Sequence, residues 1–352
     1  MKNNKIIIKD NKIGSKYPPF IIAEMSGNHN QSLSNTLNLV KEAAKSGAHA
    51  IKLQTYTADT MTLDIKKDEF VINDEKSLWN GENLYELYQI AHTPWEWHKP
   101  IMELAKSLGI VCFSTPFDET AVDFLEDLNV PAYKIASFEN IDLPLIRKVA
   151  ATKKPMIIST GMATISEIGE AVSIANENGC SDLILLKCTS AYPASPRDIN
   201  LRTIPHMKDL FKCEVGLSDH TLGIGTSLGA IALGASVIEK HFTIDRSEGG
   251  VDSAFSIEPL ELFQLVKESK QVWESVGDIS YGITKDEEKS LDFRRSIYIS
   301  KNLKKGETLT KSNIRKVRPG RGLSPKYFEI VVGKKINCDV SMGTPLSWDL
   351  ME

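Results

Sequence analysis

The sequence predicts an α/β protein, in which a (β/α)8 TIM barrel precedes a small, mostly-β C-terminal domain. Three observations lead to this fold class. Eight short β-rich runs lie between residues 20 and 239, a helix-length segment separates most of them, and every run ends in polar residues. Strands alternating with helices indicate a parallel sheet, and eight such units in roughly 250 residues match a closed barrel.

The eight predicted strands are short and rich in branched apolar residues, as buried parallel strands are. They span residues 20–25, 50–53, 110–113, 132–135, 156–158, 183–186, 214–217 and 237–239. An open doubly wound sheet is the structural rival. Such a sheet usually has a glycine-rich phosphate loop after its first strand, whereas here the turn reads Ser26-Gly27-Asn28-His29-Asn30. That turn lacks the G-x-G-x-x-G spacing, so the barrel is favoured.

The polar strand ends predict an active site, because barrel enzymes build their sites there. In chain order they offer Glu24 and Asn28; Lys52 and Gln54; Ser114 and Thr115; Lys134, Ser137 and Glu139; Ser159 and Thr160; Lys187, Thr189 and Ser190; Ser218 and His220; Glu239 and His241. Two lysines and several hydroxyls at one mouth favour a strongly anionic small substrate, such as a phosphate ester with a carboxylate. The alternative for Lys52 or Lys134 alone is an interior residue paired with a carboxylate.

Two histidines at the ends of the last two predicted strands indicate a metal site. His220 lies in Gly216-Leu217-Ser218-Asp219-His220 and His241 in Glu239-Lys240-His241. A divalent metal needs imidazoles that converge from separate rigid elements, and neighbouring strand ends supply this. Two imidazoles leave an open, weakly selective site, so Mn2+, Mg2+ or Co2+ is expected. The structural alternative is a pair of hydrogen-bonded core histidines.

The composition predicts a cytoplasmic enzyme. A net charge of −4 argues against nucleic acid or an anionic membrane as the main partner. The five cysteines are scattered without a C-x-x-C pair, as expected for free thiols in a reducing compartment. The N-terminal apolar stretch is too short for a signal peptide or membrane span.

Composition and spacing predict a barrel domain over residues 1–279, a linker over 280–293 and a small β domain over 294–352. More than fifty residues separate predicted strands two and three. A plain crossover needs about half of that length, so this insertion is expected to cover part of the site. Its aromatic residues in segments 84–88 and 95–98 fit helix packing, and we expect them in the core rather than in a sugar platform.

Several motifs resemble the sialic acid synthase family across almost the whole chain. They are Ala23-Glu24-Met25-Ser26-Gly27-Asn28-His29, Lys52-Leu53-Gln54-Thr55, Tyr133-Lys134-Ile135-Ala136-Ser137, Ser159-Thr160-Gly161, Lys187-Cys188-Thr189-Ser190-Ala191-Tyr192-Pro193, and the segments 216–223 and 239–242. Segment 294–352, with Val317-Arg318-Pro319, is similar to that family's antifreeze-like (SAF) domain. The resemblance implies condensation of phosphoenolpyruvate with an N-acylated amino sugar to a nine-carbon α-keto acid.

The resemblance and the chemistry together suggest a role for each residue. A metal at His220 and His241 would polarise the sugar aldehyde for attack by phosphoenolpyruvate C3. The expected phosphoenolpyruvate-binding residues are Lys52, Ser114, Thr115, Lys134, Ser137, Ser159, Thr160, Ser190 and Ser218. The expected sugar-binding residues are Asn28, Gln54, Tyr192, Asp252 and Arg318. The carboxylates that could handle the attacking water, unranked, are Glu24, Glu139, Glu239 and Asp252.

The sugar is less sharply predicted than the reaction. Segments 54–57, 84–88 and 93–98, with Asp252-Ser253, resemble the branch of the family that makes pseudaminic acid. Ser190 replaces an asparagine common in sialic acid synthases, which leaves that contact open. The alternatives are a legionaminic or N-acetylneuraminic acid synthase, or a non-catalytic sugar-binding protein.

The family resemblance also implies a domain-swapped homodimer. The small β domain of one chain would cover the barrel mouth of the other, with Arg318 reaching the sugar N-acyl group of the partner's site. A surface charge is the alternative role for Arg318.

Overall fold

The computed structural model describes residues 5–75 and 77–352, and the chain forms two compact units. The first unit ends at Gly277 and the second is Asp278–Glu352. The second unit thus includes the segment predicted as a linker. Within it, Lys285–Phe293 forms a 3-10 segment, and Asp292 pairs with Arg321 at 3.1 Å.

The first unit is a closed barrel of eight parallel strands, which confirms the predicted fold class. The barrel strands are β3 (Phe20–Glu24), β4 (Ala50–Thr55), β5 (Val111–Pro116), β6 (Tyr133–Ile135), β7 (Met156–Ser159), β8 (Leu183–Cys188), β9 (Glu214–Asp219) and β10 (Val237–His241). They pair in chain order, and β10 closes the barrel against β3.

Six barrel strands run one to three residues beyond their predicted ends. Ser159, Ser218 and His241 therefore lie within strands rather than after them. The physical reason is that backbone pairing continues past the point where the side chains turn from apolar to polar. Predicted strand ends marked this change in side-chain character.

Side chains of the barrel strands alternate between the barrel interior and the helix layer, as in any strand. Inward positions near the strand starts are apolar, as with Phe20 and Ile22 in β3 or Ala50 in β4. Outward positions such as Ile51 and Leu53 pack against helices. Inward positions near the strand ends are polar, so a site forms above an apolar floor.

A hairpin of β1 (Ile6–Ile8) and β2 (Asn11–Ile13) precedes the barrel. Its side chains Ile6, Ile8 and Ile13 are buried in the same cluster as the apolar barrel interior. The hairpin therefore closes the barrel at the strand starts, opposite the polar ends.

The helices of the first unit connect the strands and cover the barrel. They are α1 (Leu33–Lys45), α2 (Ala58–Met61), α3 (Leu84–Ala91), α4 (Trp95–Ser107), α5 (Glu119–Asp127), α6 (Leu143–Ala151), α7 (Ile165–Glu177), α8 (Thr203–Phe211), α9 (Gly225–Ala232) and α10 (Pro259–Val276). Their starts are capped locally: the Ser32 side chain accepts from Asn35 N, and Thr164 and Glu167 form a capping box.

Strands β9 and β10 approach each other closely at Gly216. A Cβ at this position would lie 2.2 Å from the Val237 carbonyl oxygen and 2.7 Å from Leu186 Cδ2. Only glycine fits there, and the two strands that carry the histidines are held side by side.

The second unit is small and mostly irregular around one antiparallel pair, β11 (Ser296–Ile299) and β12 (Ile314–Val317). A single helical turn, α11 (Phe328–Val331), packs into its core with Ile297, Leu309 and Ile336. In the described part of the chain, no helix has the length and apolar character to cross a membrane.

Candidate active site

A cavity of about 430 Å³ opens at the polar ends of the barrel strands. All eight strands, or the loops that directly follow them, contribute to its wall. One side of the cavity is charged and the other is apolar. The predicted gathering of the polar strand ends at one mouth is therefore present.

Lys52 anchors one end of the charged side. Its ammonium group forms a buried salt bridge with Glu24 and donates to Thr115 Oγ1 at 2.9 Å. Burial disfavours the charged form, but the carboxylates of Glu239 and Glu24 outweigh this effect and hold the pKa of Lys52 above its usual range. Lys52 is therefore a fixed positive charge at the cavity wall.

Lys134, on β6, also lines the cavity and pairs with a second buried carboxylate, that of Glu239. Its Nζ is 3.5 Å from Glu239 Oε1 and donates to the Ile135 carbonyl oxygen at 3.1 Å. Burial alone would raise the pKa of Glu239. The charges of Lys134, Lys52 and protonated His220 outweigh this effect and hold that pKa below its usual range. The sequence left two roles open for these lysines, a substrate ligand or an interior residue paired with a carboxylate. Both lysines are paired with carboxylates, and both also line the cavity.

Several buried polar atoms at the cavity have no hydrogen-bond partner within the protein. They are Glu139 Oε2, Ser159 Oγ, Glu239 Oε2 and His241 Nδ1. An unsatisfied buried polar group costs about 1–3 kcal/mol. Such groups persist where a ligand supplies the missing partners.

His220 and His241 converge from β9 and β10, with ring centroids 5.3 Å apart. His220 Nδ1 lies 2.9 Å from the Thr189 carbonyl oxygen, which can only accept. In the neutral His220 ring the proton therefore sits on Nδ1, and Nε2 keeps a lone pair for a metal. Burial, with repulsion from Lys52 and from His220 when that ring is protonated, holds the pKa of His241 well below its usual range, which keeps the His241 ring neutral.

These features fit a divalent metal, since neutral imidazoles are metal ligands and His241 Nδ1 lacks a partner. Across residues 5–75 and 77–352, no three His, Cys, Asp or Glu side chains form a complete metal site. His220 and His241 would hold the ion, with the remaining positions left to substrate and water. Burial opposes protonation of His220, yet Cys188 and Thr189 raise its pKa, so a metal would compete with a proton there.

Asp252 lies beside His241, with Oδ2 and Nδ1 3.7 Å apart. Ser26 donates to the same carboxylate oxygen, and Asn28 Oδ1 accepts from the Asp252 backbone N–H at 3.1 Å. Asn28 also donates to the Phe242 carbonyl oxygen at 3.0 Å. Asn28 thus positions Asp252 and is absent from the cavity wall, although it was predicted to bind sugar.

Glu139 stands on the loop after β6 and lines the cavity. Burial raises its pKa to about 7, opposed by Lys134 and supported by Asp142. Tyr88 of α3 lines the same cavity, and burial, with a smaller contribution from the Glu139 carboxylate, raises the pKa of its phenol. Ser137, on the same loop, lines the cavity and accepts from the Gly161 backbone N–H at 3.1 Å.

The apolar side of the cavity comes mainly from the insertion between β4 and β5. Its apolar wall consists of Met61, Ile72, Trp79, Leu84 and Leu87. Trp79 is fixed by a 3.0 Å hydrogen bond from Nε1 to the Val251 carbonyl oxygen. The wall faces Tyr192, whose ring centroid is 5.9 Å from that of Trp79. The structure therefore places the insertion where it was predicted to cover part of the site.

The aromatic residues of the insertion divide between core and cavity. Trp95 stacks on Phe124 with ring centroids 4.6 Å apart, and His98 Nε2 lies 2.7 Å from Thr55 Oγ1, as expected for the core. Tyr88 lines the cavity, so the expectation that it packs only in the core is wrong. Helix α3 turns one face toward the ligand space.

The structure places thirteen predicted site residues on the cavity wall. They are Glu24, Lys52, Gln54, Lys134, Ser137, Glu139, Ser159, Tyr192, Ser218, His220, Glu239, His241 and Asp252. Of these, Ser218 donates to Glu239 Oε1 at 3.3 Å.

Four predicted phosphoenolpyruvate ligands are absent from the wall. Ser114 points outward and lies 2.6 Å from Thr55 Oγ1, and Thr160 donates to the Leu186 carbonyl oxygen at 3.1 Å. Thr115 supports Lys52 from beneath, and the Ser190 hydroxyl lies 3.8 Å from Cys188 Sγ. Strand alternation argues against Ser114 as a ligand, since its neighbour Phe113 points inward.

Arg318, a predicted sugar ligand, is exposed in the second unit.

Several residues of the cavity wall were not among the site residues predicted from the sequence. Examples are Ser26, Tyr56, Met61, Ile72, Trp79 and Cys188. Cys188 continues the inward positions Ile184 and Leu186 of β8, so alternation could have found it. The insertion residues carry no such signal, because their placement depends on tertiary packing.

Comparisons with known proteins agree with this geometry. The NeuB family model matches residues 39–281, and the SAF domain model matches residues 294–352. The Campylobacter jejuni (serotype O:23/36, strain 81-176) protein named pseudaminic acid synthase is 46% identical over 93% of this chain and 95% of its own length. A Campylobacter jejuni N,N'-diacetyllegionaminic acid synthase is 39% identical over 89% of this chain and 94% of its own.

Among solved structures, the N-acetylneuraminic acid synthetase of Leptospira borgpetersenii, in complex with citrate, is similar with a TM-score of 0.73. It is 33% identical, and the match covers 83% of this chain and 96% of that one. The fold and site thus define a barrel enzyme that acts on a small anionic substrate. The chain belongs to the NeuB family and is a phosphoenolpyruvate-dependent nonulosonic acid synthase, as the resemblance to sialic acid synthases implied.

The raised pKa of Glu139 leads to a prediction on stability. Its carboxyl has a pKa of about 7 in the folded protein, against an ordinary value of 4.5, so the folded state loses stability as pH rises from about 4.5 through 7. Replacing Glu139 with Gln should therefore stabilise the protein by about 1–3 kcal/mol at pH 8 and by little near pH 4.5. Denaturant unfolding at both pH values measures this. Glu170→Gln, on the exposed face of α7, is the control and should show no such pH-dependent gain. An equal effect of Glu139→Gln at both pH values would contradict the prediction.

Proposed function

We propose that this enzyme condenses phosphoenolpyruvate with 2,4-diacetamido-2,4,6-trideoxy-L-altrose and water, giving pseudaminic acid and phosphate. The observation that carries the proposal is the two-sided cavity. Lys52 and Lys134 with unpartnered polar atoms form one side, and the apolar wall forms the other. The identity of 46% with a protein named pseudaminic acid synthase supports the sugar.

Phosphoenolpyruvate fits the charged side. Lys52 and Lys134 would bind its phosphate and carboxylate, and Ser159 Oγ would donate the hydrogen bond that it lacks within the protein. Ser137, on the loop after β6, and Ser218, on β9, would add hydroxyl contacts. Both lysines are almost fully buried, so these charges act at low local dielectric, where they are strong.

The sugar occupies the rest of the cavity as its open-chain aldehyde. A divalent metal held by His220 and His241 would supply positive charge to stabilise the aldehyde oxygen as its charge develops. Gln54 and Tyr192 line the space above and would orient the sugar hydroxyls. Bond formation between phosphoenolpyruvate C3 and the aldehyde carbon gives an alkoxide, which takes up a proton, and a cation at C2.

Water then adds at C2, and the tetrahedral intermediate loses phosphate by C–O cleavage to leave the keto group. The water must surrender a proton to a base. Glu139 fits this role, because its Oε2 is unpartnered, its pKa of about 7 lies near neutral pH, and its carboxylate takes no part in the two buried salt bridges of Lys52 and Lys134. Glu24 and Glu239 are committed to Lys52 and Lys134, so they hold the charge balance.

The apolar wall favours a sugar with apolar substituents. A 6-deoxy methyl group and acetamido methyl groups can pack against Met61, Ile72 and Leu84, whereas extra hydroxyls would be buried there without partners. The second candidate is N,N'-diacetyllegionaminic acid synthesis, because the named relative is 39% identical and its sugar also carries two N-acetyl groups.

We also propose that the enzyme works in the cytoplasm, since all five cysteines are free thiols.

The sugar preference is tested with a panel of acceptors. Phosphate release should have a kcat/KM at least about tenfold higher with 2,4-diacetamido-2,4,6-trideoxy-L-altrose than with N-acetylmannosamine, because unpaired hydroxyls are costly to bury. The stereoisomer used by legionaminic acid synthases belongs in the same panel. A preference for either other sugar reassigns the substrate, and release without any sugar serves as the control. No phosphate release with any acceptor would favour a non-catalytic sugar-binding protein.

The metal role is tested by chelation and by substitution of the histidines. Removal of metal should abolish phosphate release, and Mn2+, Mg2+ or Co2+ should restore it, because a site with two protein ligands exchanges readily. His220→Ala and His241→Ala should each weaken Mn2+ binding by about a hundredfold. His206→Ala, on the exposed face of α8, is the matched control. Full activity in the demetallated enzyme would rule out this role.

We further propose a homodimer in which Arg318 of one chain reaches the sugar in the site of the other. The exposed position of Arg318 after β12 and the SAF-domain match over 294–352 support this proposal. Mixing His220→Ala with Arg318→Ala and allowing exchange should restore about a quarter of the sites, since each mixed dimer regains one intact site. Mixing His220→Ala with His241→Ala should restore none. If the first mixture forms mixed dimers without activity, Arg318 does not act across the interface.

A further inference from the structure

A third buried ion pair lies next to the two histidines in the chain, on the outer face of the barrel. Asp219 is the last residue of β9 and Lys240 the penultimate residue of β10, and the two are register partners. Lys240 Nζ lies 3.0 Å from Asp219 Oδ2, and neither side chain is exposed. Because strand side chains alternate, this pair faces the helices, whereas His241 faces the cavity.

The Asp219 carboxylate is fully used within the protein. Its Oδ1 accepts from the Thr221 backbone N–H at 2.9 Å and from the Thr221 hydroxyl at 2.7 Å. Its Oδ2 accepts from Ser227 on α9 at 2.6 Å. Asp219 therefore folds the chain around His220 into a fixed turn and joins that turn to the helix behind it.

Lys240 ties the next strand to the same turn. Beyond the Asp219 carboxylate, its ammonium group donates to the Thr221 carbonyl oxygen at 2.6 Å. The contact reaches across from the residue before His241 to the residue after His220. Few other buried side chains could span this gap, because the lysine stem is long and its ammonium group carries three donors.

We propose that Asp219 and Lys240 are positioning residues, which fix the spacing of His220 and His241 for the divalent metal. The inference rests on the proposed metal role of the histidines. Neither residue touches the ion or a substrate. Groups that orient metal ligands from outside typically change metal affinity by 10–100-fold when they are lost. Apolar replacement of both residues removes the two buried charges together but leaves the Thr221 and Ser227 donors without their acceptor, so metal affinity is the readout that tests the positioning role.

The experiment compares metal binding with folding. We would measure free Mn2+ by its electron paramagnetic resonance signal in titrations of Lys240→Met, Asp219→Asn and the double variant Asp219→Leu/Lys240→Met. Mn2+ affinity should fall by about tenfold or more in each variant. The double variant leaves no unpaired buried charge, so its Tm should exceed that of Lys240→Met, which leaves the Asp219 carboxylate unpaired, while its Mn2+ affinity stays low.

The matched control is Lys208→Met, which removes the salt bridge of 3.0 Å to Glu214, the first residue of β9. It lies at the opposite end of the same strand and should leave Mn2+ affinity unchanged. At saturating Mn2+, the KM for phosphoenolpyruvate of the double variant should stay within about twofold of the parent value. The reason is that the proposed phosphoenolpyruvate ligands Lys52 and Lys134 lie on β4 and β6. Parental Mn2+ affinity in the double variant would overturn the positioning role alone. A parent protein that binds no Mn2+ would overturn the metal assignment and this inference together.

Discussion

The burial of charge inside the barrel is the constraint on which the site depends. Lys52 and Lys134 point inward at positions that a closed barrel withdraws from water, and each ion loses hydration worth several kcal/mol. Glu24 and Glu239 offset this cost by pairing with them. The pairing is incomplete, since Glu239 Oε2 and the nearby Ser159 Oγ keep no partner. This arrangement serves ligand binding better than stability.

The layering of the barrel makes such a site possible. Apolar residues such as Phe20, Ile22 and Phe113 fill the interior near the strand starts, and the N-terminal hairpin adds Ile6 and Ile8 below them. Water therefore has no route from beneath, and the charged layer is open only at the mouth. The proposed reaction, with its cation at C2 of phosphoenolpyruvate, would benefit from this arrangement, because water would reach the cation from one side.

The two faces of β9 and β10 have different roles in the site. The inward face of β9 and β10 carries Ser218, Glu239 and His241, which line the cavity. The outward face carries Asp219 and Lys240, which hold the same strand ends together. The close approach at Gly216 brings the strands near enough for both sets of contacts. Site geometry and barrel packing are consequently coupled through two adjacent strands.

Local sequence alone determined the eight strands, the order of strands and helices, and the gathering of the polar strand ends at one mouth. These features follow from side-chain periodicity and from the rule that parallel strands end on the same side. The inward and outward alternation of side chains in β5 and β8 can also be predicted from the sequence. It would have excluded Ser114 from the predicted cavity wall and added Cys188 to it. Tertiary structure decided which carboxylate pairs with which lysine, that Asn28 supports Asp252, and that Met61, Ile72 and Trp79 form the apolar wall. These contacts join residues far apart in the chain, and no local pattern encodes such distances.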